Sequence, residues 1–148
     1  MRKMTSLYRF ISSRLSLPLI VLLFFNLGYS QWAHSAGGSG KDEGNSIAVD
    51  ASGNVYVTGY FQETVDFDPG EGITNLTSAG GFYDIFLAKY NSLGELVWAF
   101  SSGANSQDEI GYDIYVDSND NVYLGGNFWD PIDIDFGEGI TTLTSNGY

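Results

Sequence analysis

The side chains with the most evident chemistry are acids that recur in matched sets. Asp66, Asp68 and Glu71 lie in the run Asp66-Phe67-Asp68-Pro69-Gly70-Glu71, and Asp133, Asp135 and Glu138 lie in Asp133-Ile134-Asp135-Phe136-Gly137-Glu138. Alternate carboxylates followed by glycine resemble the opening of a calcium loop, where successive oxygens turn toward one ion and Gly permits the bend. Calcium is therefore the one cofactor the pattern raises, with these six residues as candidate ligands. The EF-hand spacing is not met, because no third Asp or Asn and no distant Glu fall where that loop needs them. The competing expectation is that the acids cap turns and keep a strand edge soluble. A second repeated pair, Asp42-Glu43 and Asp108-Glu109, reads as a solvated loop entering a strand; contact with a cation or a sugar's hydroxyls is the alternative.

Other chemistry finds little footing. The chain has no cysteine, so thiolate nucleophiles, thiolate metal sites and disulfides are excluded. Its one histidine, His34, has no counterpart in the second set of residues, where Phe100 stands, and no acid is placed to orient it as a base. Gly37-Gly38-Ser39-Gly40-Lys41 lacks the spacing of a phosphate loop and its Ser or Thr after Lys. Trp129 aligns with Gln62 and so stands outside the repeated core; it either packs under its own loop or offers a stacking surface to a sugar. No catalytic residue is assigned, and the balance falls against an enzyme.

The acids are placed by an internal repeat. Residues 32–80 return at residues 98–147 with 26 of 49 aligned positions identical, if Ile110 is taken as a one-residue insertion. Trp32-Ala33 returns as Trp98-Ala99, Asn54-Val55-Tyr56 as Asn121-Val122-Tyr123, and the Asp66 run as the Asp133 run. Such a period means stacked or radial units that cannot bury their own faces alone. Within one unit, short stretches rich in Val, Ile, Tyr and Phe alternate with Gly, Asn, Asp and Ser, which is how strands and turns read. Strands are expected at 45–50, 54–61, 82–90 and 95–101. The turn Asp50-Ala51-Ser52-Gly53 becomes Asp117-Ser118-Asn119-Asp120, keeping its chemistry and losing the Gly. Residues 62–81 are expected to form a small hairpin or loop projecting from one rim. Apolar residues occupy both faces of 54–61 and 82–90, so both faces expect cover. Four antiparallel strands linked this way make one propeller blade.

Asp84-Ile85-Phe86-Leu87-Ala88-Lys89-Tyr90, Leu96-Val97-Trp98-Ala99 and Ile47-Ala48-Val49-Asp50-x-x-Gly53-Asn54-Val55-Tyr56-Val57-Thr58-Gly59 resemble the SBBP β-propeller repeat of secreted bacterial proteins. The resemblance spans residues 32–148 and implies an all-β propeller in exported or surface proteins, some of which carry a C-terminal sorting domain. It brings no catalytic residues. At this period the chain is expected to hold one full blade plus parts of two others, an incomplete propeller with repeat copies at 32–97 and 98–148. A strand at 31–37 is expected to stand where 95–103 stands in the next unit, with Trp32 and Trp98 wedged between blades.

Residues 1–30 differ in kind. Arg2, Lys3, Arg9 and Arg14 precede an apolar run at 15–27, and Gly28-Tyr29-Ser30 supplies small residues for cleavage. That order is a secretory signal. An anchor is the weaker reading, since thirteen helical residues reach only about 20 Å against a hydrocarbon core of ~30 Å. No membrane insertion is expected after cleavage. Beyond residue 30 only Lys41 and Lys89 face 18 carboxylates, a net charge of −16. Phosphate binding needs clustered Lys and Arg, so nucleic acid is excluded as a partner. The expectation is a non-catalytic, secreted or cell-surface β-propeller module for binding, adhesion or scaffolding, present as a fragment. Its partner would be a protein or glycan, with further blades in the full-length chain. The alternatives are a calcium-stabilised carbohydrate-binding propeller, or part of an extracellular hydrolase or lyase whose active site lies in missing blades.

Overall fold

The computed structural model describes residues 31–135 and 139–146. The leader 1–30 and Glu138 lie outside the described residues. The first repeat folds as β1 (Glu43–Val49), β2 (Val55–Phe61), β3 (Thr64–Asp66), β4 (Asn75–Thr77), β5 (Asp84–Tyr90) and β6 (Leu96–Ser102). The second contributes β7 (Ile110–Val116), β8 (Val122–Asn127), β9 (Ile132–Asp133) and β10 (Thr142–Leu143).

β1, β2, β5 and β6 form one four-stranded antiparallel sheet in that order, with β3–β4 as a separate hairpin inserted between β2 and β5. This is the blade, and all described regular structure is β. Its turns are built by side chains. Asp50 Oδ1 accepts the N–H groups of Ser52 and Asn54, both at 2.9 Å, while Gly53 takes φ 82°. In the second repeat Asp117 Oδ1 accepts Asn119 and Asn121 N–H at 2.8 and 2.9 Å, and Asp120 holds φ 63° in glycine's place. Both inner hairpins also carry a register shift, at Gly44/Ser46 and at Gly111/Asp113. Gly59 and Gly126 face those bulges: a Cβ on either would run into a backbone carbonyl, of Glu43 or of Ile110.

Register sorts the apolar residues onto two faces. On the first, Phe61, Phe86, Ala88 and Tyr90 are buried together with Val65 and Phe67, and Leu76 and Trp32 pack against them. Here the structure corrects the expected projecting insert. The β3–β4 hairpin folds back over its own blade, because Val65 and Phe67 alternate inward and are apolar. Phe61 and Phe67 meet edge to face at 5.6 Å, and the Tyr90 hydroxyl donates to the Phe67 carbonyl at 3.0 Å. Burial of a side chain like Phe67 stabilises by about 1.5–3 kcal/mol. On the second face Tyr56 and Leu87 are buried against Ile114, with Trp98, Val116 and Val122 packed around them. That face is covered by the second repeat, as the repeat pattern requires.

The N-terminal segment departs from expectation. Residues 31–36 form no strand, and Gly37 makes only an isolated bridge to Asp66. Among the described residues no strand runs beside 31–36 to pair with it. Trp32 nevertheless lies against the first face, 6.2 Å from the Tyr90 ring and beside Val55. Trp98, in β6, lies on the second face, 5.9 Å from the Tyr56 ring and in the same apolar cluster as Val122.

Candidate functional site

The repeated Asp-x-Asp runs are turn caps. Asp66 Oδ1 accepts N–H groups from Asp68 at 3.0 Å and Thr74 at 2.8 Å, and Asp68 Oδ1 accepts Gly70 N–H at 2.8 Å. Asp133 Oδ1 accepts Asp135 and Thr141 N–H at the same two distances. Gly72 and Gly139 close the turns where a Cβ would strike the Asp68 or Asp135 carboxylate. Glu71 is exposed beside its turn. Among the described residues no group of three or more His, Asp or Glu side chains is disposed to hold a metal ion. His34 stacks on Trp32 at 5.2 Å in an irregular segment, not in the strand its alignment with Phe100 suggested.

The second acidic pair behaves differently from a solvated loop. Strand register pairs Glu43 with Tyr60 and Ile110 with Asn127, so the extra residue lies in the loop before β7 rather than at position 110. Asp42 and Glu109 are therefore the equivalent acids, and they do the same work. Asp42 takes the N–H groups of Gly38 at 2.7 Å and Gln62 at 3.4 Å. Glu109 takes Ala104 N–H at 2.9 Å through Oε2, and the Trp129 N–H lies near enough to favour the anion without bonding Oε1. Asp42 is half-buried, whereas Glu109 has 0% exposure. Burial pushes the Glu109 carboxyl up from the usual 4.5 to about 7, with Asp84 and Asp130 adding repulsion against the Ala104 and Trp129 donors. Asp84, 3% exposed, is pushed up by burial to about 6 against the Ala79 N–H.

This acid lies at the joint between repeats. Glu109 N–H donates to Tyr83 carbonyl at 2.7 Å, and Asp108 accepts Tyr83 N–H at 3.1 Å. Nearer the inner strands, Asn45 Nδ2 donates to Gly111 carbonyl at 2.7 Å and Ser46 Oγ to Asp113 Oδ1 at 2.8 Å. Gly111 approaches Thr58 so closely that a Cβ would collide with its hydroxyl. The two repeats thus dock through an apolar face and a ring of polar contacts.

A third acid site is internal to the blade. Asp50 Oδ2 accepts Asn54 Nδ2 at 2.7 Å and Tyr56 hydroxyl at 3.2 Å, and lies 3.8 Å from Lys89 Nζ. Burial alone would raise Asp50, but the donors from Asn54, Ser52 and Tyr56 outweigh it and hold the carboxyl below its ordinary value. Asp117 is lowered by the side chain and backbone of Asn121, then by Asn119 and Tyr123. The signal was present in the sequence: Asp, then Asn four residues on and Tyr six on, occurs in both copies.

The first blade also has an open surface. A cavity of about 300 Å³ lies on the first face, lined by Trp32, Ile47, Val55, Val57, Phe86 and Tyr90, among others. Ile47 and Val49 beside it are 65% and 60% exposed. Trp129 is 40% exposed, so it is only partly packed. No described helix is long and apolar enough to cross a membrane.

Comparison with known proteins agrees with this geometry. Residues 31–60 match the SBBP family, described as a beta-propeller repeat. An uncharacterised WD repeat-containing protein of Acanthamoeba polyphaga mimivirus is 28% identical over 113 residues, covering 67% of this chain and 8% of the relative. The chain thus spans less than a tenth of that relative's length. No solved structure matches it. A four-stranded blade with a second repeat docked on its face fits the family match, which places an SBBP-type β-propeller repeat at residues 31–60.

Proposed function

We propose that the chain is a non-catalytic propeller module, exported to the cell surface or medium, that serves binding, adhesion or scaffolding. The observation that carries this reading is the use of the repeated chemistry within the repeat itself. The repeated acids cap turns and the repeated aromatics stack blades. What differs between copies, and so can vary with a partner, lies in the connecting loops, the usual place for recognition on a rigid scaffold, and at strand positions such as Asn45 and its counterpart Tyr112. Export rests on the basic, apolar and small-residue order of 1–30 and on the strongly acidic chain that follows. A protein or glycan partner suits a surface with few cations and several exposed tyrosines, Tyr112, Tyr115 and Tyr123 among them.

The test is fractionation of a bacterium expressing the full-length gene with a C-terminal epitope. Epitope in the medium, or antibody staining of intact cells, supports the reading; retention in the cytoplasm overturns export. Purified protein is then applied to glycan and extracellular-protein arrays. Saturable retention without turnover supports a binding module, and product release from any arrayed glycan overturns the non-catalytic half.

A further inference from the structure

We propose that the joint between the repeats is a proton-operated clamp, in which Glu109 seats the connector 103–108 on the first blade as a neutral acid and loosens it as a carboxylate. The connector runs from β6 of one repeat to β7 of the next. It is held at both ends of Glu109: the carboxyl Oε2 takes Ala104 N–H at 2.9 Å, and the Glu109 N–H donates to Tyr83 carbonyl at 2.7 Å. The other carboxyl oxygen, Oε1, is buried without a hydrogen-bond partner. A fully buried acceptor with no donor is costly as an anion. A proton on that oxygen removes the charge.

Among the described residues the surroundings offer no positive charge. Asp84 of β5 faces Glu109, and both its oxygens take Ala79 N–H at 3.1 Å. Gly103 of the connector lies so close to the Asp84 carboxyl that no Cβ could fit. Asp130, from the segment after β8, also faces Glu109 and is bonded by Ser106 of the connector. Asp108 is bonded to Tyr83 N–H. Lys41 lies 3.7 Å from Glu43 and over the Tyr60 and Tyr83 rings, and Lys89 is engaged with Asp50 and Tyr56. Ionised Glu109 would thus sit among Asp84, Asp130 and Asp108 with only N–H dipoles to balance it.

The direction of the effect follows. Folding raises the Glu109 carboxyl from 4.5 to about 7 and that of Asp84 from 3.8 to about 6. A carboxyl raised on folding binds more protons in the folded state, so stability falls as pH climbs from the unfolded toward the folded value. The joint is tight below about pH 5 and weakened above about pH 7. Loosening the connector frees the second repeat from the Tyr56, Leu87 and Trp98 face while leaving the first blade's own hydrogen bonds intact.

The experiment follows thermal melting of the full chain from about pH 5 to about pH 8, beside Glu109→Gln and Asp84→Asn. The wild type is expected to lose several degrees of Tm across that range. Glu109→Gln, which keeps an acceptor for Ala104 and cannot ionise, should lose most of that slope, and Asp84→Asn should shift it to lower pH. A wild-type Tm that is flat or rising over this range overturns the proposal, as does an unchanged slope in Glu109→Gln. Millimolar calcium that restores Tm at the alkaline end overturns it too, because the acids would then hold a cation. Should Glu109→Gln fail to fold, carbon-13 titration of the Glu109 carboxyl in the wild type decides: a midpoint near 7 supports the clamp, and one below about 5 removes it.

Discussion

Ile47 and Ile114 occupy the same place in their repeats, two residues before Val49 and Val116, yet their surroundings differ. Ile114 is 6% exposed, pressed on Tyr56 and Leu87 of the neighbouring blade. Ile47 is 65% exposed, and Val49 is 60% exposed. The reverse holds for the opposite face, where Tyr56 is 2% exposed and its counterpart Tyr123 is 55% exposed. Each repeat therefore carries one face that receives and one that inserts. The same residue type at the same register is a core residue or a surface residue according to whether a sister sheet is present. Solenoid and propeller units behave this way because stability is a sum over neighbours.

That comparison can be broken by substitution. Ile114→Asp places a charge in the inter-blade core and should cost about 3 kcal/mol or more, while Ile47→Asp should stay within about 0.5 kcal/mol and raise solubility. Urea unfolding of both variants measures the pair; equal losses would show that Ile47 is also covered in solution. The hairpins offer a second contrast. Phe67 is 3% exposed and its counterpart Ile134 is 36% exposed. Phe67→Ala should cost about 3–4 kcal/mol in the same unfolding assay, and Ile134→Ala below about 1.5 kcal/mol.

A smaller contrast concerns the turn acids. Asp50→Ala removes four donors' shared acceptor and leaves Lys89 without its carboxylate partner, at a cost of roughly 1–3 kcal/mol. Asp117→Ala, half-buried and without a lysine partner among the described residues, should cost less by a clear margin in chemical denaturation. Both carboxyls are held below their ordinary value of 3.8, so their contribution is present above that pH and is lost as pH falls through the lowered values. Acid unfolding at low pH should accordingly be milder in Asp50→Ala relative to its own neutral stability. The least effect is expected from calcium: with Asp66 and Asp133 engaged by backbone donors, millimolar calcium should leave Tm of the wild type and of Asp66→Asn unchanged within error.

The blade was legible in the sequence because each of its signals is local. Apolar residues on both faces of residues 54–61 and 82–90 and the Asp-x-x-Gly turn place the four strands to within one or two residues. The fate of the insert was not legible, since Val65 and Phe67 reveal a buried face but not which surface buries it. Glu109 misled for the same reason. An Asp-Glu dipeptide beside polar residues reads as solvated, and only docking of the second repeat encloses it. Sequence identity also aligned Glu43 with Glu109, whereas the β-ladder aligns Glu43 with Ile110.

The scarcity of basic residues gives the blade a built-in reporter. After residue 30 trypsin has two cleavage points, Lys41 in a loop and Lys89 in β5. The Lys41 side chain is 59% exposed, while that of Lys89 is 19% exposed and its strand is hydrogen-bonded on both edges, to β2 and β6. Digestion should nick the first quickly, and the second should become available only when the sheet itself opens, so the rate of that later cut times the life of the intact blade.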